Sequence, residues 1–332
     1  MSTFAAVALF TGVVIYAVLG GADYGAGFWD LTAGGARRGR RPRHLVDESL
    51  APVWEANHVW LIFCLVMLWT AFPVAFAAIM TTLYVPLGLA ALGIVVRGAG
   101  FAFRKVMVRT DQQRVTGAAF AVSSVLVPFF LGTVAGGIAS GRVPQSGNGD
   151  PVAGWLNPTS VLGGVLAVLA CAYTAAVFLT AEARRRADPE LETWFRRRSL
   201  ATAAAVGVVA LAGIAVLHAD SPTLFEGLLT RGLVPVVVSG VCGLSALVLL
   251  RRGAPRLLQA LAVVAVAAIV AGWGVAQYPD LLGTHTTIAA AAAPAPTLWA
   301  LVIVAAAALV IVVPSMALLF VLSQRGRLDS SH

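Results

Sequence analysis

The sequence predicts an all-α, polytopic integral membrane protein. It is read as a single domain over residues 1–332 with about nine transmembrane helices, the N-terminus outside and the C-terminus cytoplasmic. Three observations predict this. Hydrophobic residues make up 59% of the 332 and charged residues 11%, with a mean hydropathy of +0.87, far from the mix of a soluble domain. Apolar runs recur at the length, about 20 residues, that a helix rising 1.5 Å per residue needs to cross a bilayer. Basic residues concentrate in alternate connections between those runs. An unpaired peptide group in hydrocarbon costs several kcal/mol, so the crossing segments must be helices.

The first segment, 4–31, follows the start MSTF without the basic stretch of a signal peptide and outruns a signal's apolar core, so it is expected to be a retained helix. The second, 51–72, comes after arginines at 37, 38, 40, 41 and 43, and the third, 76–103, runs into Arg104 and Lys105. The fourth and fifth, 114–139 and 158–182, flank the polar stretch SGRVPQSGNGDPVAGWLN. The sixth to ninth, 199–218, 232–250, 256–277 and 296–322, are bounded by further arginine clusters on one side and by the polar stretch 278–295 on the other. Twenty of the 23 basic residues fall on one side, which the positive-inside rule makes cytoplasmic. The pI near 10.2 therefore reflects topology and contact with anionic lipid heads, and no nucleic-acid partner is inferred. Prolines 86, 128, 235 and 314 predict kinks. Cys64, Cys171 and Cys242 sit in apolar runs and read as small apolar residues.

Chemistry is sought among ionisable residues inside the membrane, since each costs at least about 2.5 kcal/mol unless compensated. Asp23 and Asp30 lie on the first segment, Glu55 and His58 on the second and Arg97 on the third, all in the cytoplasmic half. Asp23, Gly27 and Asp30 fall on one helical stripe, and Glu55, His58 and Ile62 on another. Gly21 and Gly25 form a small-xxx-small pair beside Asp23 that lets a second backbone approach closely. Two readings stand for these groups: proton carriers, or hydrogen-bonding ties between helices, with Arg97 able to snorkel to the inner surface. Trp54 and Trp60 fit either a partner interface or a packed seam. His58 is the one histidine of five within the membrane, so a structural histidine is favoured over a haem or metal ligand, and no metal site is expected.

The strings GGADYGAGFWDL (20–31), PVWEANHVWLIF (52–63) and VVRGAGFAFR (95–104), in this order on the first three segments, resemble the signatures of subunit II of cytochrome bd-type quinol oxidases. The resemblance is dense over the first third of the chain. It departs at Gly20, where the family pattern commonly has an acid.

The resemblance implies a subunit that works only with a partner. Subunit I carries two b-type haems, one d-type haem and the quinol site, and passes electrons from quinol to O2, giving water. This chain ligates no haem and packs against it in the bacterial cytoplasmic membrane. A structurally bound quinone or lipid and small single-helix accessory subunits are further possibilities the family brings. By motif position, Glu55 corresponds to an acid implicated in a cytoplasmic proton path, with Asp23 and, more weakly, Asp30 beside it. Trp54, Asn57, His58 and Trp60 match flanking positions, and Arg97 lies in the third motif.

Two other readings compete. A secondary transporter with an intramembrane acid/arginine site should show an internal repeat with broken helices in corresponding halves. A purely structural assembly subunit would be inert in proton transfer. A haem-copper core is excluded, since it needs several intramembrane histidines.

Overall fold

The computed structural model describes residues 1–35, 38–106, 110–252, 255–283 and 286–324. Within helices, the side chains at 50–56, 104–106, 110–111, 113, 250–252, 255–256, 308–309, 312–313, 316–317 and 319–324 lie outside the described residues. Among the described residues twelve helices follow in chain order: α1 (Ser2–Leu31), α2 (Arg40–Ala71), α3 (Pro73–Thr82), α4 (Tyr84–Val106), α5 (Thr110–Ala139), α6 (Pro158–Arg185), α7 (Pro189–Asp220), α8 (Pro222–Leu229), α9 (Leu233–Arg252), α10 (Pro255–Gln277), α11 (Ile288–Ala291) and α12 (Ala295–Gln324). The polar stretch after α10 forms an antiparallel ribbon, β1 (Asp280–Leu282) with β2 (Thr286–Thr287), which the all-α expectation did not include. Six helices among the described residues are long and apolar enough to cross a membrane, and two bent pairs bring the number to eight. The ninth predicted segment coincides with α12.

The expectation of one helix over 76–103 is corrected: this stretch is divided between α3 and α4, and α3 leaves α2 at a bend of 116°. Phe72, at φ −136° and ψ 61°, is off the helical region, and Pro73 begins the new helix where its missing N–H has no bond to lose. Two predicted kinks are corrected for the same reason. Pro86 and Pro235 are each the third residue of a helix, α4 and α9, whereas Pro128 and Pro314 lie inside α5 and α12.

The break has a counterpart, which exposes an internal repeat. Ser221, at φ −144° and ψ 65°, separates α7 from α8 just as Phe72 separates α2 from α3, and Pro222 follows it. PVAFAAIMTTLYVP (73–86) aligns without a gap on PTLFEGLLTRGLVP (222–235), and α2 and α7 each have 32 residues. The match of proline, phenylalanine, threonine and Val-Pro at fixed offsets was legible in the sequence.

Packing centres on α1, which contacts α2, α5, α6 and α10. Near the start of α1, Ala5, Ala6 and Leu9 join Met67, Phe72, Ile79 and the ribbon's Leu281 and Leu282 in one apolar cluster. Near its end, Ala26 and Trp29 pack with Leu45, Phe120, Leu179 and Phe195 in a second. A third ties α6 to α9 and α10 through Tyr173, Val177, Ala246 and Ala262.

Among the described residues three helix starts carry side-chain caps, Thr287 at α11 and the two that follow. The Ser160 N–H donates to Asn157 Oδ1 at 2.9 Å at the start of α6, so Asn157→Ala is expected to cost about 1 kcal/mol in thermal unfolding of the purified protein. At α7 the Leu191 N–H donates to Asp188 at 3.1 Å, and this bond, with the Arg41 guanidinium, holds the Asp188 carboxyl below the usual carboxylate range. A depressed carboxylate stabilises above its unfolded pKa, and that stability is lost as pH falls through the lowered folded value. Asp188→Asn keeps a cap while removing this dependence. The melting temperature of the variant is expected to fall less than wild type on acidification.

Candidate functional site

Between the two α1 clusters the structure buries an ion pair. Asp23 is 0% exposed and Arg97 1%. Arg97 Nη1 donates to Asp23 Oδ2 at 2.9 Å, and Nη2 donates to Oδ1 at 2.6 Å and to the Asp23 carbonyl at 3.2 Å. Its Nε donates to the Ser124 hydroxyl at 2.9 Å, which itself donates to the Phe120 carbonyl. The guanidinium carbon lies 4.7 Å from the Tyr24 ring centroid and 4.8 Å from that of Phe120, and the Tyr24 hydroxyl is 3.2 Å from that of Tyr16. The two-pronged geometry commits both carboxylate oxygens of Asp23 to one cation and ties α1, α4 and α5 together. Arg97 therefore points into the protein rather than snorkelling.

Close helix approach makes the clamp possible. A β-carbon at Gly27 would strike the Ser124 side chain, and one at Gly25 would fall on the Cys171 carbonyl of α6. At Gly21 the nearest atom would be Thr174 Oγ1 at 3.6 Å, an ordinary contact. Of the predicted pair, Gly25 is the position whose side chain backbone excludes. Gly25→Leu is accordingly expected to abolish most of the yield extracted from membranes, while Gly21→Ala leaves it near wild type.

Asp30 does not join Asp23. Arg43 Nε donates to Asp30 Oδ1 at 2.8 Å, and Arg43 Nη2 donates to the Gly34 carbonyl at 2.6 Å, so this acid closes the turn between α1 and α2.

On α2 the predicted group separates by face. Asn57 is fully buried, and neither its amide nitrogen nor its amide oxygen finds a hydrogen-bond partner among the described residues. A β-carbon at Gly20 would stand 3.2 Å from both atoms. His58 is half-buried, and Trp60 meets Phe63 edge-on at 5.8 Å between centroids. Val59, Ile62, Val66 and Trp69 form an exposed stripe, Ile62 at 60% and Trp69 at 64%. Position 55 continues this stripe, one turn before Val59 and two before Ile62. The side chains of Trp54 and Glu55 lie outside the described residues.

Ser124, Tyr24, Phe120 and Arg43 belong to these contacts and were not singled out from the sequence. Ser124 had a signal, as one of two serines inside the apolar run AVSSVLVP, and Tyr24 lies within the first motif. Arg43 had none that separates it from the other loop arginines. Among the described residues no three His, Cys, Asp or Glu side chains converge on a point.

The profile of the family described as "Cytochrome bd terminal oxidase subunit II" matches residues 1–323. The chain is 29% identical over 223 residues to "Cytochrome bd-I ubiquinol oxidase subunit 2" of Escherichia coli K12, covering 63% of this chain and 56% of that relative's length. It is 27% identical over 225 residues to "Cytochrome bd ubiquinol oxidase subunit 2" of Bacillus subtilis, covering 66% of this chain and 64% of the relative. The fold matches a chain of the bd oxidase structure from Geobacillus thermodenitrificans with a TM-score of 0.76 at 23% identity, covering 96% of this chain and 97% of the other.

Proposed function

The chain belongs to the cytochrome bd terminal oxidase subunit II family, and from that premise we propose that it is the non-haem-ligating subunit of a bacterial quinol:O2 oxidoreductase. It spans the cytoplasmic membrane nine times, α12 included, with the arginine-rich ends of α1, α2, α6 and α7 inside. It packs against subunit I, which holds the two b-type haems, the d-type haem and the quinol site, and it supplies part of the route by which cytoplasmic protons reach that subunit.

Haem ligation is assigned to the partner in this reading, on the histidine placement among the described residues. His58 is the one histidine deep in a described helix, His218 rests its ring on Phe225 with centroids 5.2 Å apart, and His44 faces Glu48 at 3.3 Å.

The observation that carries the proton role is the register of α2. Trp69, Val66, Ile62 and Val59 are exposed along one face of α2, and position 55 falls on the same helical stripe. A carboxyl there takes a proton from below and passes it to a group of the partner. Asp23, with both oxygens held by Arg97, serves as the anchor of the bundle beside that route rather than as a carrier. Asn57 holds the neighbouring seam, its buried amide facing the place where the family's acid is replaced by Gly20.

The repeat with broken helices is the feature a transporter was expected to show, but the two halves are chemically unequal. In the gap-free register Glu55, Asn57, His58 and Arg97 face Ala204, Val206, Gly207 and Ala246. These four counterpart positions carry no polar side chain, so the second half holds no equivalent of this site for alternation to use.

Membranes from a strain lacking this chain are expected to lose quinol-driven, subunit I-dependent O2 uptake and regain it with a plasmid copy. Unchanged uptake in the deletion strain would contradict the assignment.

A further inference from the structure

At the arginine-rich end of the bundle, the last residues of α1, α4 and α6 and the first of α2, α5 and α7 enclose a cavity of about 940 Å³. Five arginines and three aspartates line it, so it is cationic. Three of the arginines are committed: Arg41 to Asp188 at 2.7 Å and to Glu190, Arg43 to Asp30, and Arg186 to Glu182 at 2.9 Å and to Glu48. These pairs hold the rim in place. The other two, Arg40 and Arg114, come from different elements, are exposed, and make no ion pair to a described residue. The third aspartate of the lining, Asp47, makes a contact of its own. Part of the wall is apolar, with Leu31, Phe101 and Ala118 among the lining.

We infer that this cavity binds a phosphate group, held between the Arg40 and Arg114 guanidiniums. Guanidinium forks match phosphate oxygens, Arg40 adjoins the ion-paired Arg41, and both arginines stand on helices, so no mobile loop has to be ordered. The volume is far larger than a bare phosphate requires, and the apolar wall lies where the helices enter hydrocarbon, so an anionic phospholipid of the inner leaflet fills it better than a soluble phosphate compound. This rests on the topology proposed above, which puts the cavity on the cytoplasmic side, but it does not require turnover.

The test uses the purified complex in nanodiscs and counts retained lipid by native mass spectrometry after release into detergent. Arg40→Gln/Arg114→Gln removes the two free guanidiniums, and Arg38→Gln/Arg197→Gln removes equal charge from exposed positions outside the cavity. In discs of phosphatidylglycerol and phosphatidylcholine at equal parts, wild type and the control are expected to retain one more phosphatidylglycerol than the cavity variant. Retention of that lipid should fall at least tenfold in the variant. Adding millimolar inorganic phosphate separates the sources: displacement without preference for phosphatidylglycerol identifies a soluble phosphate as the ligand of the same site. Equal retention of both lipids by all three proteins, with no effect of phosphate, would overturn the proposal. Oxygen uptake measured on the same samples reports separately on the oxidase assignment.

Discussion

Glu55→Gln is expected to assemble with normal yield and normal haem content in the complex, yet to lose at least about tenfold of its quinol-driven O2 uptake. Glutamine keeps the shape and hydrogen-bonding capacity of the side chain and removes only its ability to ionise. Position 55 shares a helical stripe with Val59 and Ile62, which are exposed, and the substitution is therefore expected to leave the packing of α1, α5 and α6 intact. Glu55→Asp keeps the carboxyl with a shorter reach and is expected to retain more activity. Full turnover and full proton uptake in Glu55→Gln liposomes would leave a purely structural subunit as the better account.

Asp23→Asn is expected to act on assembly. Asp23 and Arg97 are both removed from water, and neutralising one leaves the other charged without its partner, a loss of about 3–5 kcal/mol. Yield should fall sharply, and the surviving complex should melt at lower temperature. Removing both charges leaves nothing uncompensated, so Asp23→Leu/Arg97→Met is expected to recover much of the yield. The double variant also separates anchor from carrier. At matched haem content its turnover should stay near wild type, and a recovered complex that has lost turnover would return Asp23 to the proton route.

How much of this was readable in the sequence depends on the range of the interaction. Helix identity was legible because it follows from local composition: α1, α5, α6, α7 and α10 coincide with apolar runs of spanning length. The break after Phe72 was missed because residues 72–86 contain no charged residue and are mostly apolar, so hydropathy carries no mark of a helix that turns aside. Pro73 was the available signal, and its recurrence at Pro222 the confirming one. At the site, spacing placed Asp23 and Asp30 on one stripe, and both are buried. It did not tell that Arg97 closes on the first and Arg43 on the second, since pairing across 74 residues depends on how α1, α4 and α5 cross. Gly21 and Gly25 read alike in sequence, and only the position of the Cys171 carbonyl distinguishes them.

This chain is expected to serve a haem-bearing partner without ligating haem itself, and the visible spectrum of the purified chain decides between the two. Expressed alone and extracted from membranes, the chain should show no haem absorption, whereas the same chain co-purified with its partner should show b- and d-type bands and consume O2 when given a reduced quinol. Stoichiometric haem in the isolated chain would contradict the account.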